Sequence, residues 1–279
     1  MLELLKVDFK RVLRDKLFLV VCILSGVFAL TTPLLYLLIF KLAGAGDLEE
    51  LALLGVSVNG KSQFFDFFSL ANNLGLIAPV LLAVALCKDF SHGTVRNKII
   101  AGKSRSEIFF SMLTVCFAVM FGIMLAGAAL TLLVSLIFFP FQDSDFVLSD
   151  VGYFLLSLLF EAVLYLFVSA LVCFLCAATK NVGLVIVFYI AISMGMTFVT
   201  SILQIGELMI VSGVFKTPEA VREIIVFLQD INVFNFATVI GKGVEYETRD
   251  VLCCILSPLI GGIGFTAWGI AAFNRKDLK

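Results

Sequence analysis

Six apolar runs, each near or above the roughly 20 residues that cross a bilayer as one helix, occupy most of this 279-residue chain. Hydrophobic residues make up 61% of the chain and charged residues 15%, whereas soluble domains are about half apolar and a quarter charged. The sequence therefore predicts an all-α membrane protein with a single transmembrane domain. The six predicted spans lie at about 17–40, 68–87, 108–139, 151–178, 182–205 and 251–273.

The distribution of charge orients these spans. On one side of the membrane, 14 Lys and Arg residues lie in the N-terminus, the 88–107 loop, the 179–181 turn and the tail from Asn274. The segments on the other side of the membrane contain 6 Lys and Arg residues. The side rich in Lys and Arg contains 6 acidic residues and the other side contains 14, and Glu161 lies inside a span. Because Lys and Arg concentrate in cytoplasmic segments, both termini are predicted to be cytoplasmic. The net charge of −1 shows no basic excess of the kind that nucleic-acid binding requires.

The 88–107 loop carries an ordered series of helix signals. Gly93 and Thr94 look like a turn followed by a helix cap, and "VRNKII" places apolar residues along a short helix that Gly102 ends. Ser104 and Glu107 form a capping box for the third span. The positive-inside rule explains the charge of this loop but not the order of its residue types. We therefore expect a short helix that lies across the inner mouth of two spans.

The same segment, "DFSHGTVRNKIIAGKSR", resembles a loop of ABC-2 type permeases, the membrane subunits of a large class of ABC exporters. That family shows an acidic–aromatic pair, then Gly-Thr, then an arginine, then a G-x-S-R. The C-terminal "FNRKDLK" and the six-span layout with both termini inside are also similar to the family. The matching loop positions are Asp89, Phe90, Gly93, Thr94, Arg96, Asn97, Gly102, Ser104 and Arg105.

The resemblance implies a transport subunit of a bacterial cytoplasmic membrane that has no catalytic residues of its own. In such permeases the matching loop forms a coupling helix that contacts a separate ATPase subunit, and ATP and Mg bind to that partner. A second permease chain, identical or not, completes the assembly. Family members export amphipathic peptides, including antimicrobial ones, as well as ions, lipids and drugs. An interior with one acid is compatible with an amphipathic or cationic peptide.

Two further segments are predicted to be helical outside the spans. The outer 206–250 segment contains a helix start at Thr217-Pro218-Glu219, with a cap, Pro218 at the first helical position and an acid in the first turn. Its helices are expected to lie against the outer leaflet or dip into it. Residues 2–16 are predicted to form an amphipathic elbow helix at the inner membrane surface. Its apolar stripe consists of Leu2, Leu5, Phe9, Val12 and Leu13, with the basic and acidic residues elsewhere.

Glu161 is the single acid deep inside a predicted span. A carboxylate at that depth is costly unless it faces a cavity, is paired or is protonated. One interpretation is a polar contact on the translocation path or at a subunit interface. The other is a protonated acid that is hydrogen-bonded to a neighbouring helix.

Signals for other functions are weaker. "GVSVNGKS" (55–62) matches the phosphate-loop pattern, but it lies in the outer 41–67 loop, where ATP is absent, so we interpret it as a turn-rich loop. His92 is the single histidine and is interpreted as a surface residue, and the C-x-x-C of Cys173 and Cys176 is interpreted as packing inside a span. The alternative function is a secondary transporter driven by an ion gradient. Such a protein needs several intramembrane charges or broken helices in two matching halves, and Glu161 and a kink at Pro79 are the candidates here.

Overall fold

The computed structural model describes residues 1–42, 59–70, 73–91, 93–142, 147–212, 218–236, 240 and 246–275. Over these ranges the chain forms helices and one short 3₁₀ turn, without a β-strand, so the predicted all-α class is confirmed. The helices are α1 (Leu2–Arg14), α2 (Lys16–Leu42), α3 (Gly60–Asp66), α4 (Asn73–Ser91), α5 (Thr94–Ile100), α6 (Arg105–Phe138), α7 (Leu148–Thr179), α8 (Val182–Val211), α9 (Glu219–Ile231) and α10 (Thr248–Arg275), and the 3₁₀ turn is Val233–Asn235.

Five helices in the described part of the chain are long and apolar enough to cross a membrane, namely α2, α6, α7, α8 and α10. The apolar part of α4 and the following α5 form a sixth crossing if the two helices are counted as one membrane span. The chain bends by 52° between them. The protein is therefore a multi-pass membrane protein with five or six spans. Each of the five long helices covers most of one predicted run, and α8 continues beyond its predicted end to Val211.

The centre of the bundle is formed by α6 and α7, which bury more of their apolar windows than the other long helices do. At 34 residues, α6 is continuous and about 51 Å long, so it exceeds a hydrocarbon core of about 30 Å. Glycines let α10 approach this centre closely. A Cβ added at Gly261 would come to 2.7 Å from the ring of Phe167 on α7.

The second crossing differs from the predicted continuous run 68–87. Its helix α4 begins only at Asn73, and the separate helix α3 precedes it. The backbone carbonyl of Phe68 accepts a 2.8 Å hydrogen bond from Tyr165 Oη, and Tyr165 lies about halfway along α7. The chain therefore reaches the middle of the bundle before α4 starts. Pro79 lies inside α4.

The segment between α8 and α10 reaches a similar depth. Asn232, immediately after α9, donates from Nδ2 to the carbonyl oxygen of Met196 at 3.2 Å and to Thr200 Oγ1 at 2.7 Å. Both acceptors lie in the middle of α8. This segment thus enters the bundle instead of covering its surface only. At its start, Pro218 occupies the N-cap position and not the predicted first helical position, and Thr217 lies outside the described residues.

The end of "GVSVNGKS" is helical, which corrects the expectation of a turn-rich loop. Gly60 is the first residue of α3. The backbone N–H groups of Gly60 and Lys61 donate to the carbonyl oxygens of Pro140 and Phe141, both at 2.9 Å. A phosphate loop needs such amides to point at its ligand, whereas these two already have protein acceptors. Residues 55–58 lie outside the described part of the chain.

Candidate docking surface and its supporting ion pairs

Two glycines with left-handed backbone conformations delimit α5. Gly93 precedes the helix with φ 70° and Gly102 follows it with φ 82°, a conformation that glycine adopts without steric cost. Behind the last turn, Lys103 N–H donates to the carbonyl oxygen of Lys98 at 3.1 Å, as in a Schellman motif. The prediction that Gly102 ends this helix is confirmed. The predicted cap is wrong, because Gly93 occupies the N-cap position and Thr94 is the first helical residue.

The beginning of α6 is attached to the end of α10. Ser104 and Glu107 form the predicted capping box, with Ser104 Oγ accepting from the Glu107 N–H at 3.2 Å and the Glu107 carboxylate accepting from the Ser104 N–H at 3.1 Å. Arg105 Nη1 donates to the carbonyl oxygens of Phe273 at 2.8 Å and Asn274 at 2.9 Å. The last carbonyls of a helix lack intrahelical partners, so Arg105 stabilises the C-terminal end of α10.

A cluster of charged side chains joins α1 to the 88–107 loop. Asp8 Oδ1 accepts a 2.6 Å bond from Lys98 Nζ on α5, and Asp8 Oδ2 accepts a 2.8 Å bond from Ser111 Oγ on α6. Arg11 lies 3.6 Å from Asp8 and also pairs with Asp89 at the end of α4. The two acids and two bases balance in charge. The side chains of Asp8 and Lys98 are only 3% and 10% exposed, so this pair is desolvated.

Sequence reasoning missed Asp8, because it assigned the acids of α1 to the side away from its apolar stripe. The structure buries Leu4, Asp8 and Val12, while Phe9 and Leu13 of the predicted stripe remain partly exposed. A signal was present in the sequence. Leu4, Asp8 and Val12 follow each other at a spacing of four, which places the acid on one helical face with two apolar residues.

In the described part of the chain, three of the matching loop positions have side chains that contact α1 or α10. Asp89 is buried and paired with Arg11. The ring of Phe90 meets the ring of Phe273 edge-on, with centroids 5.7 Å apart. Together with Arg105, these side chains hold the loop against α1 and α10, so they position the candidate docking surface and are not exposed parts of it.

The outward face of α5 is made by other residues. Arg96 and Asn97 are exposed, and the Ile100 side chain beside them is 74% exposed. The predicted apolar stripe of α5 therefore divides: Val95 is buried, whereas Ile100 projects away from the protein. We call Arg96, Asn97 and Ile100 the α5 surface. Contact patches between proteins typically have apolar side chains at the centre and polar side chains around them, and the α5 surface has this composition.

Glu161 lies inside the bundle, with 1% of its surface exposed. Its Oε2 atom has no hydrogen-bond partner within the described ranges. One turn earlier on α7, Ser157 Oγ lies 2.5 Å from Tyr246 Oη, just before α10. Glu161 is therefore enclosed by helices of this chain, near the middle of α7 and one turn from Tyr165.

No protein-family model matches the sequence, and comparison with curated proteins finds no significant match. The interpretation of the loop accordingly depends on its own residues and on the geometry that they adopt. That geometry gives a short helix with defined ends, fixed to three other helices and exposed on one face.

Proposed function

We propose that this chain is the permease subunit of an ATP-driven exporter of the ABC-2 type, and that the α5 surface docks on a separate ATPase subunit. The observation that carries the proposal is the position of α5, a helix with defined ends that is held by the buried Lys98–Asp8 ion pair at the basic end of the bundle. The positive-inside rule makes that end cytoplasmic, where ATP is available. ATP and Mg bind to the partner, and this chain provides the membrane path.

A docking helix transmits movement only if it is firmly attached to the spans. Lys98 attaches α5 to Asp8 of α1, and Ser111 of α6 bonds to the same carboxylate. Separation of this desolvated pair is unfavourable, so a displacement of α5 would move α1 and α6 with it. In the proposed assembly, closure of the ATPase pair drives two permease chains, identical or not, between inward-open and outward-open arrangements.

The proposed cargo is an amphipathic peptide, such as an antimicrobial peptide, exported across a bacterial cytoplasmic membrane. The support is the mainly apolar interior of the described bundle, in which Glu161 is a buried acid near the middle of a long membrane helix. In this proposal Glu161 becomes a polar contact on the path or at the interface with the second permease chain when the bundle rearranges. A cationic segment of the cargo would complement its carboxylate.

Copurification tests the docking step. Ile100→Glu replaces the apolar centre of the α5 surface with a charge, and removal of a central contact residue weakens a typical complex by about tenfold or more. Leu148→Glu is the matched control, because Leu148 is 84% exposed at the opposite end of the bundle. The wild type and the control should each copurify with a protein that hydrolyses ATP, and Ile100→Glu should lose it. Equal recovery of that ATPase with both variants would rule out docking through α5.

A secondary transporter is the second candidate function, and one observation favours it. Two discontinuous segments, ending near Phe68 and Asn232, meet the middles of α7 and α8. In secondary transporters such broken elements bind substrate and coupling ions. Proteoliposomes containing this chain alone distinguish the two functions. Transport driven by a proton or sodium gradient without an ATPase would establish the second, and a requirement for the ATPase and ATP would establish the first.

A further inference from the structure

A groove runs along the outside of the bundle between α1, α2 and α6. It consists of two adjoining cavities of about 350 and 570 Å³, which share Phe9, Leu13 and Ala118 as lining residues. The first cavity lies between α2 and α6, and the second lies between α1 and α6 at the basic end. The groove is therefore continuous from the basic end towards the middle of the membrane.

Small side chains give the groove its depth. Ala118, Gly122 and Ala126 are exposed on α6 at a spacing of one helical turn and form the floor. From Ala118 to Leu130 the groove follows 12 residues of helix, which is about 18 Å. One leaflet contributes about 15 Å to the hydrocarbon core. The length of the first cavity thus corresponds to one acyl chain of the inner leaflet.

The mouth of the groove is basic. Lys6, Lys10 and Arg14 line it on α1, beside the apolar side chains of Phe9 and Leu13. Within the described ranges none of these three cations forms an ion pair, in contrast to Arg11, which pairs with Asp8 and Asp89. Basic pockets between helices on the cytoplasmic side suit anionic lipid headgroups, which are abundant in that leaflet.

We propose that this groove binds one anionic phospholipid, with its phosphate against Lys6, Lys10 and Arg14 and one acyl chain along the floor of α6. A second copy of this chain is a less suitable occupant. A symmetric pair in the same membrane orientation would bring two basic mouths together, and their like charges would repel. The proposal concerns the outer surface of the bundle and does not depend on the proposed transport function.

The charge requirement can be measured on the purified full-length chain. In detergent with equal amounts of phosphatidylglycerol and phosphatidylcholine, native mass spectrometry counts the lipids that remain bound. The wild type should retain one phosphatidylglycerol preferentially, and Lys6→Gln/Lys10→Gln should lower this preference about tenfold. Lys103→Gln/Arg275→Gln removes two cations from the same end and should leave the preference unchanged. An equal loss in both double variants would overturn the assignment of the site.

The shape requirement has its own pair of variants. A Cβ added at Gly122 meets no atom within 4 Å, and Gly122 lines the groove, so the side chain of Gly122→Leu would occupy the groove. Gly264 on α10 also faces open space, so Gly264→Leu is the control. Gly122→Leu should lose the retained phospholipid and Gly264→Leu should keep it. Retention by both variants would refute the site. Conversion of a dimer to monomers by Gly122→Leu would also refute it and would identify a second copy as the occupant.

Discussion

Removal of the charge of Asp8 should strongly destabilise the basic end of the bundle. Asp8 accepts bonds from Lys98 at 2.6 Å and from Ser111 at 2.8 Å, and the side chains of the ion pair are 3% and 10% exposed. In Asp8→Asn, the ammonium group of Lys98 would remain buried without its carboxylate. Loss of one partner of a buried ion pair costs about 3–5 kcal/mol.

A second ion pair in the same region provides a matched control. Lys88 and Asp15 lie 3.5 Å apart with side chains 39% and 26% exposed. Exposed pairs contribute about 0–1 kcal/mol. Asp15 Oδ1 also accepts the N–H of Leu17 at 3.0 Å, a bond that an amide oxygen preserves. Asp15→Asn therefore removes one exposed charge and should have little effect on stability.

Both variants can be compared by thermal unfolding of the purified chain in detergent micelles. Each kcal/mol lowers the unfolding midpoint of a domain of about 150–250 residues by about 2–4 °C, so a loss of about 3–5 kcal/mol predicts a shift of about 6–20 °C for Asp8→Asn. The shift for Asp15→Asn should be at most about 4 °C. Adding Lys98→Met to Asp8→Asn should recover part of the loss, because no unpaired charge then remains. Equal shifts for the two single variants would refute the buried ion pair.

Three further predictions concern other contacts. Arg105→Gln should increase the rate of proteolysis at the C-terminal end of α10, because two bonds of 2.8 and 2.9 Å to its last carbonyls are lost; an unchanged rate would contradict this role. Cys87 Sγ and Cys176 Sγ lie 3.2 Å apart, so mild oxidation of a variant that lacks the other five cysteines should link α4 to α7 by a disulfide. Peptide mass spectrometry detects this link, and its absence would contradict the packing of the two thiols. Gly127→Ala should lower the free energy of unfolding by about 1–3 kcal/mol, because its Cβ would overlap the ring of Phe67. Gly122→Ala should instead raise the free energy of unfolding by up to about 1 kcal/mol. Equal unfolding midpoints for the two variants would contradict the close packing at Gly127.

Much of the fold follows from local signals in the sequence. The five long helices coincide with long apolar runs, because the pattern and the length that define a span are both local. The end of α5 at Gly102 and the capping box at Ser104 are also local, since a few neighbouring residues complete each motif. These signals predicted the short helix that became the candidate site.

Features that depend on distant residues were missed. The break before α4 is stabilised by Tyr165, which lies 97 positions away from Phe68 in the sequence. The partners of Asp8 lie 90 and 103 positions away, at Lys98 and Ser111. The spacing of Leu4, Asp8 and Val12 marks Asp8 as buried, but hydropathy averaged along the chain does not specify which helices meet, so its partners Lys98 and Ser111 could not be identified from the sequence.

A photocrosslinking amino acid at Ile100, tested in intact cells, examines the central claim most directly. The α5 surface should crosslink to a protein that binds a labelled ATP analogue, because Ile100 projects from the basic end of the bundle, which we propose to be cytoplasmic. The same group at Leu148, exposed at the opposite end, should yield no such product. Failure to capture an ATP-binding protein from position 100, or capture of one from position 148, would contradict the account.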